Sequence, residues 1–237
     1  MAPVTTASIK AGLPEGLWAK ATSHPFLDAI ADRTITPAQF NTWLVQDYFY
    51  VRSFVRLTAA TMLAAPDAHL DVLVGGMAAL QSELAWFKAK AKERGLTLEG
   101  TQLQPAAAAY IGWQSSLFDE AAAAAAGADN GGGGGKAAPY AVLAVVFWAI
   151  EACYNTAWGS LRGRVAPEYD EFVERWGSKE FVQYVVDLAA QADEALAAVP
   201  ADQAAAVAAA AEAAVRKVAD LEVGFWAMAF YAGGDGK

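Results

Sequence analysis

Residues 147–161 read FWAIEACYNTAWGSL. The stretch is apolar with helical spacing, yet it holds a carboxylate, Glu151, and the chain's single cysteine, Cys153, two positions apart. Two steps along an α-helix turn the side chain by about 200°, so these two point in nearly opposite directions. If Glu151 and Tyr154, three residues apart, share one face, Cys153 faces the packing behind it. A cysteine in apolar packing has its thiolate disfavoured and is inert. A lone cysteine in an intracellular enzyme is also a candidate nucleophile, and the helix face discriminates between the two readings.

The same spacing recurs elsewhere. A carboxylate is followed three positions later by an aromatic at Asp47…Tyr50, Glu83…Trp86, Glu151…Tyr154 and Glu222…Phe225. Further rings surround these pairs, among them Trp43, Tyr48, Phe54, Phe87, Trp148, Trp158 and Trp226. A carboxylate inside an apolar stripe must be hydrogen-bonded or neutralised, because burying it alone costs several kcal/mol. Acids and rings from several helices would together build a polar pocket inside an apolar bundle. Such a pocket suits a flat, nitrogen-rich ring, stacked by the aromatics and held by carboxylates that accept its N–H groups. The plainer alternative is that the aromatics are only core. On that view Asp47 pairs with Arg52 or Arg56, and Glu83 is a partly exposed acid near Lys88 and Lys90.

Strand signals are nearly absent and helical ones recur, which predicts an all-α bundle. A first helical stretch, 14–32, is broken near Pro25. Thr36-Pro37 is an N-cap followed by proline at the first helical position, opening a helix over 38–65. Pro66 starts the next, which Gly95 stops. Others are expected from Pro105 to about Ala126, over 140–162, 167–176, 179–199 and 201–230. The segment GADNGGGGGKAAP, 127–139, reads as a flexible glycine-rich loop over 127–138. Nothing else resembles a linker, so one domain is expected over 1–237, with its core at about 15–231.

Composition narrows the function. The net charge of −9 argues against nucleic acid, whose phosphates need a basic patch. It also disfavours an anionic membrane surface. The most apolar run, 141–150, ends at Glu151, so no membrane span is expected. The first twenty residues lack the apolar core of a secretory signal, and one cysteine permits a reducing compartment, so a cytoplasmic location is expected. No metal or other cofactor is indicated. Neither of the two histidines, His24 and His69, lies in a Glu-x-x-His pair of the kind a bundle di-iron site needs, no CxxC or HExxH motif occurs, and no Walker or GxGxxG loop is present. His24, ahead of Pro25, reads as a local cap or turn residue.

Several segments, in this order, carry a resemblance: HPF at 24–26, ITPAQFNTWLVQDYFYV at 35–51, a tyrosine five residues after Pro105, the 147–161 helix, EYDEFVERWGSKEF at 168–181 and LEVGFWAM at 221–228. Together they resemble the TenA/thiaminase II family, from about Trp18 to Phe230. The resemblance implies a haem-oxygenase-like all-α fold without haem, and a homodimer or homotetramer. It also implies salvage of thiamin breakdown products, hydrolysing aminomethyl pyrimidine to hydroxymethyl pyrimidine. A non-catalytic pyrimidine carrier or sensor is the alternative.

One branch of the family carries a cysteine nucleophile on the helix matching 147–161. Counting back from Tyr154, that position falls at or beside Ile150–Glu151, away from Cys153. WAIEACY, SELAWFK, RWGSKEF and LEVGFW resemble the branch that lacks the cysteine. The resemblance makes Glu222 the catalytic acid/base with Glu151 assisting, and Asp47 the grip on the aminopyrimidine. Tyr50, Tyr110, Tyr154 and Trp176 match pocket positions, with Glu83 and Phe54 beside them. Without the thiol, direct water attack at the exocyclic methylene is expected, with weak or no cleavage of thiamin itself. The N-formyl amine is expected as a further substrate.

Overall fold

The computed structural model describes residues 3–128 and 137–234. Among these residues every regular element is helical: α1 (Thr6–Ala11), α2 (Leu17–Thr22), α3 (Pro25–Ala31), α4 (Pro37–Ala64), α5 (Leu70–Glu93), α6 (Pro105–Ala128), α7 (Ala137–Gly159), α8 (Asp170–Gly177), α9 (Lys179–Ala197) and α10 (Ala204–Phe230). The glycine-rich loop expected over 127–138 falls largely outside the described residues, at 129–136; its two ends belong to α6 and α7.

The helix starts follow local chemistry. Thr36 accepts a hydrogen bond from the Gln39 amide, and the Gln39 side chain accepts one from the Thr36 amide, a reciprocal cap that leaves Pro37 at the first position of α4. His24 caps α3 in the way its place before Pro25 suggests, its Nδ1 accepting from the Phe26 amide at 3.1 Å. Gly95, at φ 67°, ends α5 in the left-handed conformation that glycine adopts without a steric penalty. The stretch expected over 14–32, broken near Pro25, is two short helices, α2 and α3, and a third, α1, precedes it. The earliest, α1, contributes Ile9 to the core, so packing begins before residue 15. Its signal was a reciprocal cap between Thr5 and Ser8.

At the centre lies α7, packed mainly against α9 and α10, while α4 packs mainly against α5 and α6. The segment Tyr140–Gly159 has the length and apolarity of a membrane span, but 78% of its most apolar window is buried among the other helices. Two junctions fix the elements that matter for the site. Gln46, inside α4, donates to the Gln102 carbonyl and accepts from the Gln104 amide, which pins the start of α6. Asn155 donates to the Trp176 carbonyl and Arg162 to the Gly177 carbonyl, which ties α8 to α7. A Cβ on Gly177 would lie 3.0 Å from the Gly159 Cα, so the two backbones meet where both lack side chains.

Candidate active site

Four helices each deliver one buried acid: Asp47 from α4, Glu83 from α5, Glu151 from α7 and Glu222 from α10. Asp47 and Glu222 are fully buried, Glu83 almost so and Glu151 partly. The plainer readings of these acids do not hold. Arg52 sits over the Tyr48 and Phe49 rings, while Asp47 is held by Tyr154. Glu83 points inward to Trp176, away from the lysines that follow it.

A cavity of about 380 Å³ opens between α4, α5, α7, α8 and the start of α9. Tyr50, Phe54, Glu83, Glu151, Tyr154 and Trp176 line it, six of the nine residues singled out from the sequence. The Phe54, Tyr50 and Tyr154 rings form one wall, nearly parallel at 8° and 3° with successive centroids 6.2 Å apart. Its size lies within the usual range for small-molecule sites.

The remaining three, Asp47, Tyr110 and Glu222, lie behind this wall. The Tyr154 hydroxyl donates to Asp47 Oδ1 at 2.5 Å, and the Tyr110 hydroxyl donates to Glu222 Oε1 at 2.8 Å. Tyr50 stands between them, its ring 4.7 Å from that of Tyr110. Asp47 Oδ2, Glu222 Oε2 and the Tyr50 hydroxyl are buried without hydrogen-bond partners. Buried polar atoms are rarely left so, and each costs about 1–3 kcal/mol. Burial pushes the Asp47 carboxyl well above its ordinary range; the Tyr154 hydrogen bond pulls it back, and the charges of Glu83 and Glu222 raise it further. Burial lifts Glu222 to about 8, against the pull of the Tyr110 hydrogen bond.

On the cavity side, the Trp176 indole N–H donates to Glu83 Oε1 at 2.8 Å. Burial raises Glu83 to about 7, while the Arg175 guanidinium and this hydrogen bond oppose the rise. Burial also raises Glu151 well above its ordinary range, with the charge of Glu83 adding to the shift. The site therefore holds four acids that resist ionisation near neutral pH, the condition under which a carboxyl can act as a proton donor. Among the described residues, no three His, Cys, Asp or Glu side chains group so as to hold a metal ion.

Of the lining residues that the sequence does not single out, three matter most: Gly76 on α5, Arg175 on α8 and Tyr184 on α9. The pattern of an acid followed by a ring three positions on passes over all of them, since Tyr184 follows Phe181 at that spacing. The loss of a helix-interior glycine's backbone freedom at Gly76 was the one available signal. Cys153 is fully buried in the core and takes no part in the cavity lining. Burial raises its thiol well above the ordinary range, and the nearby Glu222 adds to this.

A bundle with buried acids facing stacked rings defines a class of ligand-binding helical proteins rather than one activity. The sequence profile of the TENA/THI-4/PQQC family matches residues 14–128 and 133–232, and the chain belongs to that family. It is 32% identical over 221 residues to a probable bifunctional TENA-E protein of Glycine max, covering 90% of this chain and 88% of that one. It is 23% identical over 216 residues to the aminopyrimidine aminohydrolase of Halalkalibacterium halodurans, covering 90% of each. Its fold superposes on a TenA homologue from Pyrococcus furiosus with a TM-score of 0.78 and 25% identity, over 95% of this chain and all of that one. The architecture is thus the helical haem-oxygenase-like fold expected from the sequence.

Proposed function

We propose that this chain is an aminopyrimidine aminohydrolase of thiamin salvage, from the branch of the family without the active-site cysteine. The observation that carries the reading is three buried polar atoms left without partners, Asp47 Oδ2, Glu222 Oε2 and the Tyr50 hydroxyl, beside one ring-lined cavity. A flat aminopyrimidine supplies what they lack: an exocyclic amino group with N–H donors, on a ring that stacks against Tyr50 and Tyr154. Similarity to a protein named as an aminopyrimidine aminohydrolase supports the same substrate class.

Tyr50 is the movable partition. Its hydroxyl is held by no well-formed hydrogen bond, only by the nearby Tyr110 hydroxyl, so rotation of the ring would join the cavity to the inner acids. Asp47 then accepts from the amino group while Tyr154 keeps its other oxygen fixed. Water attacks the exocyclic methylene carbon, forming the new C–O bond as the C–N bond breaks. Protonated Glu222 gives its proton to the departing nitrogen, which leaves as ammonia. Glu222, ionised by that transfer, takes a proton from the attacking water, which Glu151 holds in place from the cavity side. A positioned acid and base each contribute about 10²–10⁴-fold to such a step. Glu83, Phe54, Tyr110 and Trp176 complete the pocket around the ring. The N-formyl amine needs the same activated water and acid and is a second substrate. Thiamin, whose cleavage in the family is associated with the thiol, is a poor one.

The test is ammonia release from aminomethyl pyrimidine by the purified chain, with hydroxymethyl pyrimidine formed in equal amount. Tight binding of the pyrimidine with no turnover would replace the hydrolase with a carrier or sensor.

A further inference from the structure

Tyr184 has a peculiar seat. From α9 it reaches across the mouth of the cavity to α5, where its hydroxyl lies against the backbone at Gly76. A Cβ at position 76 would stand 2.3 Å from that hydroxyl oxygen and 3.1 Å from the ring carbon bearing it. Gly75 beside it has open space and needs no such allowance. Glycine in a helix interior is unfavourable relative to alanine, so the notch at position 76 has a cost in α5 that the seating of Tyr184 explains. Yet the hydroxyl gains nothing there, because it is buried without a hydrogen-bond partner. Its neighbours include Glu83 and Glu151, whose charges disfavour its ionisation after burial has already done so. It therefore remains a donor.

The two ends of the site differ chemically. Inside, Asp47 and Glu222 each leave one carboxyl oxygen unpartnered beside the ligand's amino group. At the mouth, Tyr184 offers an unused donor. The lining there carries the carboxyl groups of Glu83, Glu151 and Glu180 beside one cation, Arg175, so it offers an anionic group no net positive charge. An ammonium group cannot accept a hydrogen bond. Only a neutral acceptor suits both the donor and the field.

We infer that Tyr184 is a specificity-determining residue: on ligand entry its hydroxyl leaves the Gly76 notch and donates to an uncharged oxygen on the substituent of the pyrimidine's exocyclic carbon. This rests on the aminopyrimidine reading of the site and assigns its outer end.

Calorimetric titration of two pyrimidines tests it: hydroxymethyl pyrimidine and the 5-methyl pyrimidine that lacks its oxygen. The wild-type chain should bind the first more tightly by about tenfold. Tyr184→Phe should bind both alike, with its affinity for the methyl compound and its melting temperature unchanged. A merely structural tyrosine would weaken both ligands equally. Gly76→Ala fills the notch and should lower the melting temperature; adding Tyr184→Phe removes the worst contact and should restore part of it. If the wild type shows no preference, or Tyr184→Phe keeps it, the assignment is overturned. Should the preference follow Tyr184 while aminomethyl pyrimidine yields no ammonia, the hydrolase reading falls and the assignment of Tyr184 stands. If neither pyrimidine binds, both fall.

Discussion

The inner and outer acids of the site occupy one pocket but are held differently. Asp47 and Glu222 each receive one tyrosine hydroxyl and keep one oxygen unpartnered, and neither is in a salt bridge among the described residues. Glu83 receives an indole N–H, and Arg175 beside it restrains its rise to about 7, one unit below Glu222. Tyrosine hydroxyls can either donate or accept, so Tyr110 can serve Glu222 before and after it gives up a proton. The Trp176 indole can only donate, which suits a carboxyl whose charge is tolerated. On the function proposed above, the inner pair serves proton transfer and ligand capture, Glu151 serves the attacking water, and Glu83 shapes the field at the mouth.

The sharpest way to break this division is to neutralise one acid from each side. Glu222→Gln keeps an acceptor for Tyr110 but has no proton to give, so kcat for ammonia release should fall by about 10²–10⁴-fold. Glu83→Gln should cost far less, about tenfold, since only the field changes. Equal losses would erase the distinction. Next in size is Asp47→Asn, which retains an acceptor oxygen for Tyr154 but brings N–H donors against those of the ligand. The pyrimidine should bind about 10–100-fold more weakly, mainly as a raised KM.

The same difference should appear in stability without any ligand. A free glutamate titrates near 4.5, while Glu222 in the fold titrates near 8 and Glu83 near 7. Between those limits the folded chain holds a proton that the unfolded chain has released. Stability from each group is therefore complete below about 4.5 and is lost as pH rises through its folded value, at no more than about 1.4 kcal/mol per pH unit for each. The melting temperature should fall from pH 5 to pH 8. Glu222→Gln should flatten the curve over this whole span, and between pH 7 and pH 8 it should flatten it more than Glu83→Gln does, because Glu83 is by then at least half ionised. Glu83→Gln should act mainly below about pH 7.

Much of this was legible before any coordinates, for reasons that particular residues make plain. Apolar periodicity and the Thr36-Pro37 start gave the helices, because caps and helix faces are local properties. The acid–aromatic spacing picked out all four buried acids, Asp47, Glu83, Glu151 and Glu222, because an acid in an apolar stripe violates the burial rule visibly. The depth of each acid was not legible. Spacing of three places Asp47 and Tyr50 on one face, but only tertiary packing decides that Tyr50 closes the cavity in front of Asp47. Tyr184 and Gly76 were invisible for a related reason: their meeting joins α5 and α9 across 108 positions of chain, and neither residue breaks a local rule strongly enough to stand out.

The smallest expected effect concerns Cys153, and its size is informative. Fully buried behind the Glu151 face, it meets core side chains and has its thiol raised by burial. Cys153→Ala removes one sulfur from packing, which should cost about 1 kcal/mol of stability by the usual cost of a small core truncation. Alanine is the better probe than serine, since a hydroxyl there would be buried without a designed partner. Ammonia release should be nearly unchanged. A variant that folds, melts near the wild type and yet releases no ammonia would make Cys153 the nucleophile. Glu222 would then be its partner across the α7–α10 contact, and the division between inner and outer acids would have to be redrawn around a thiol.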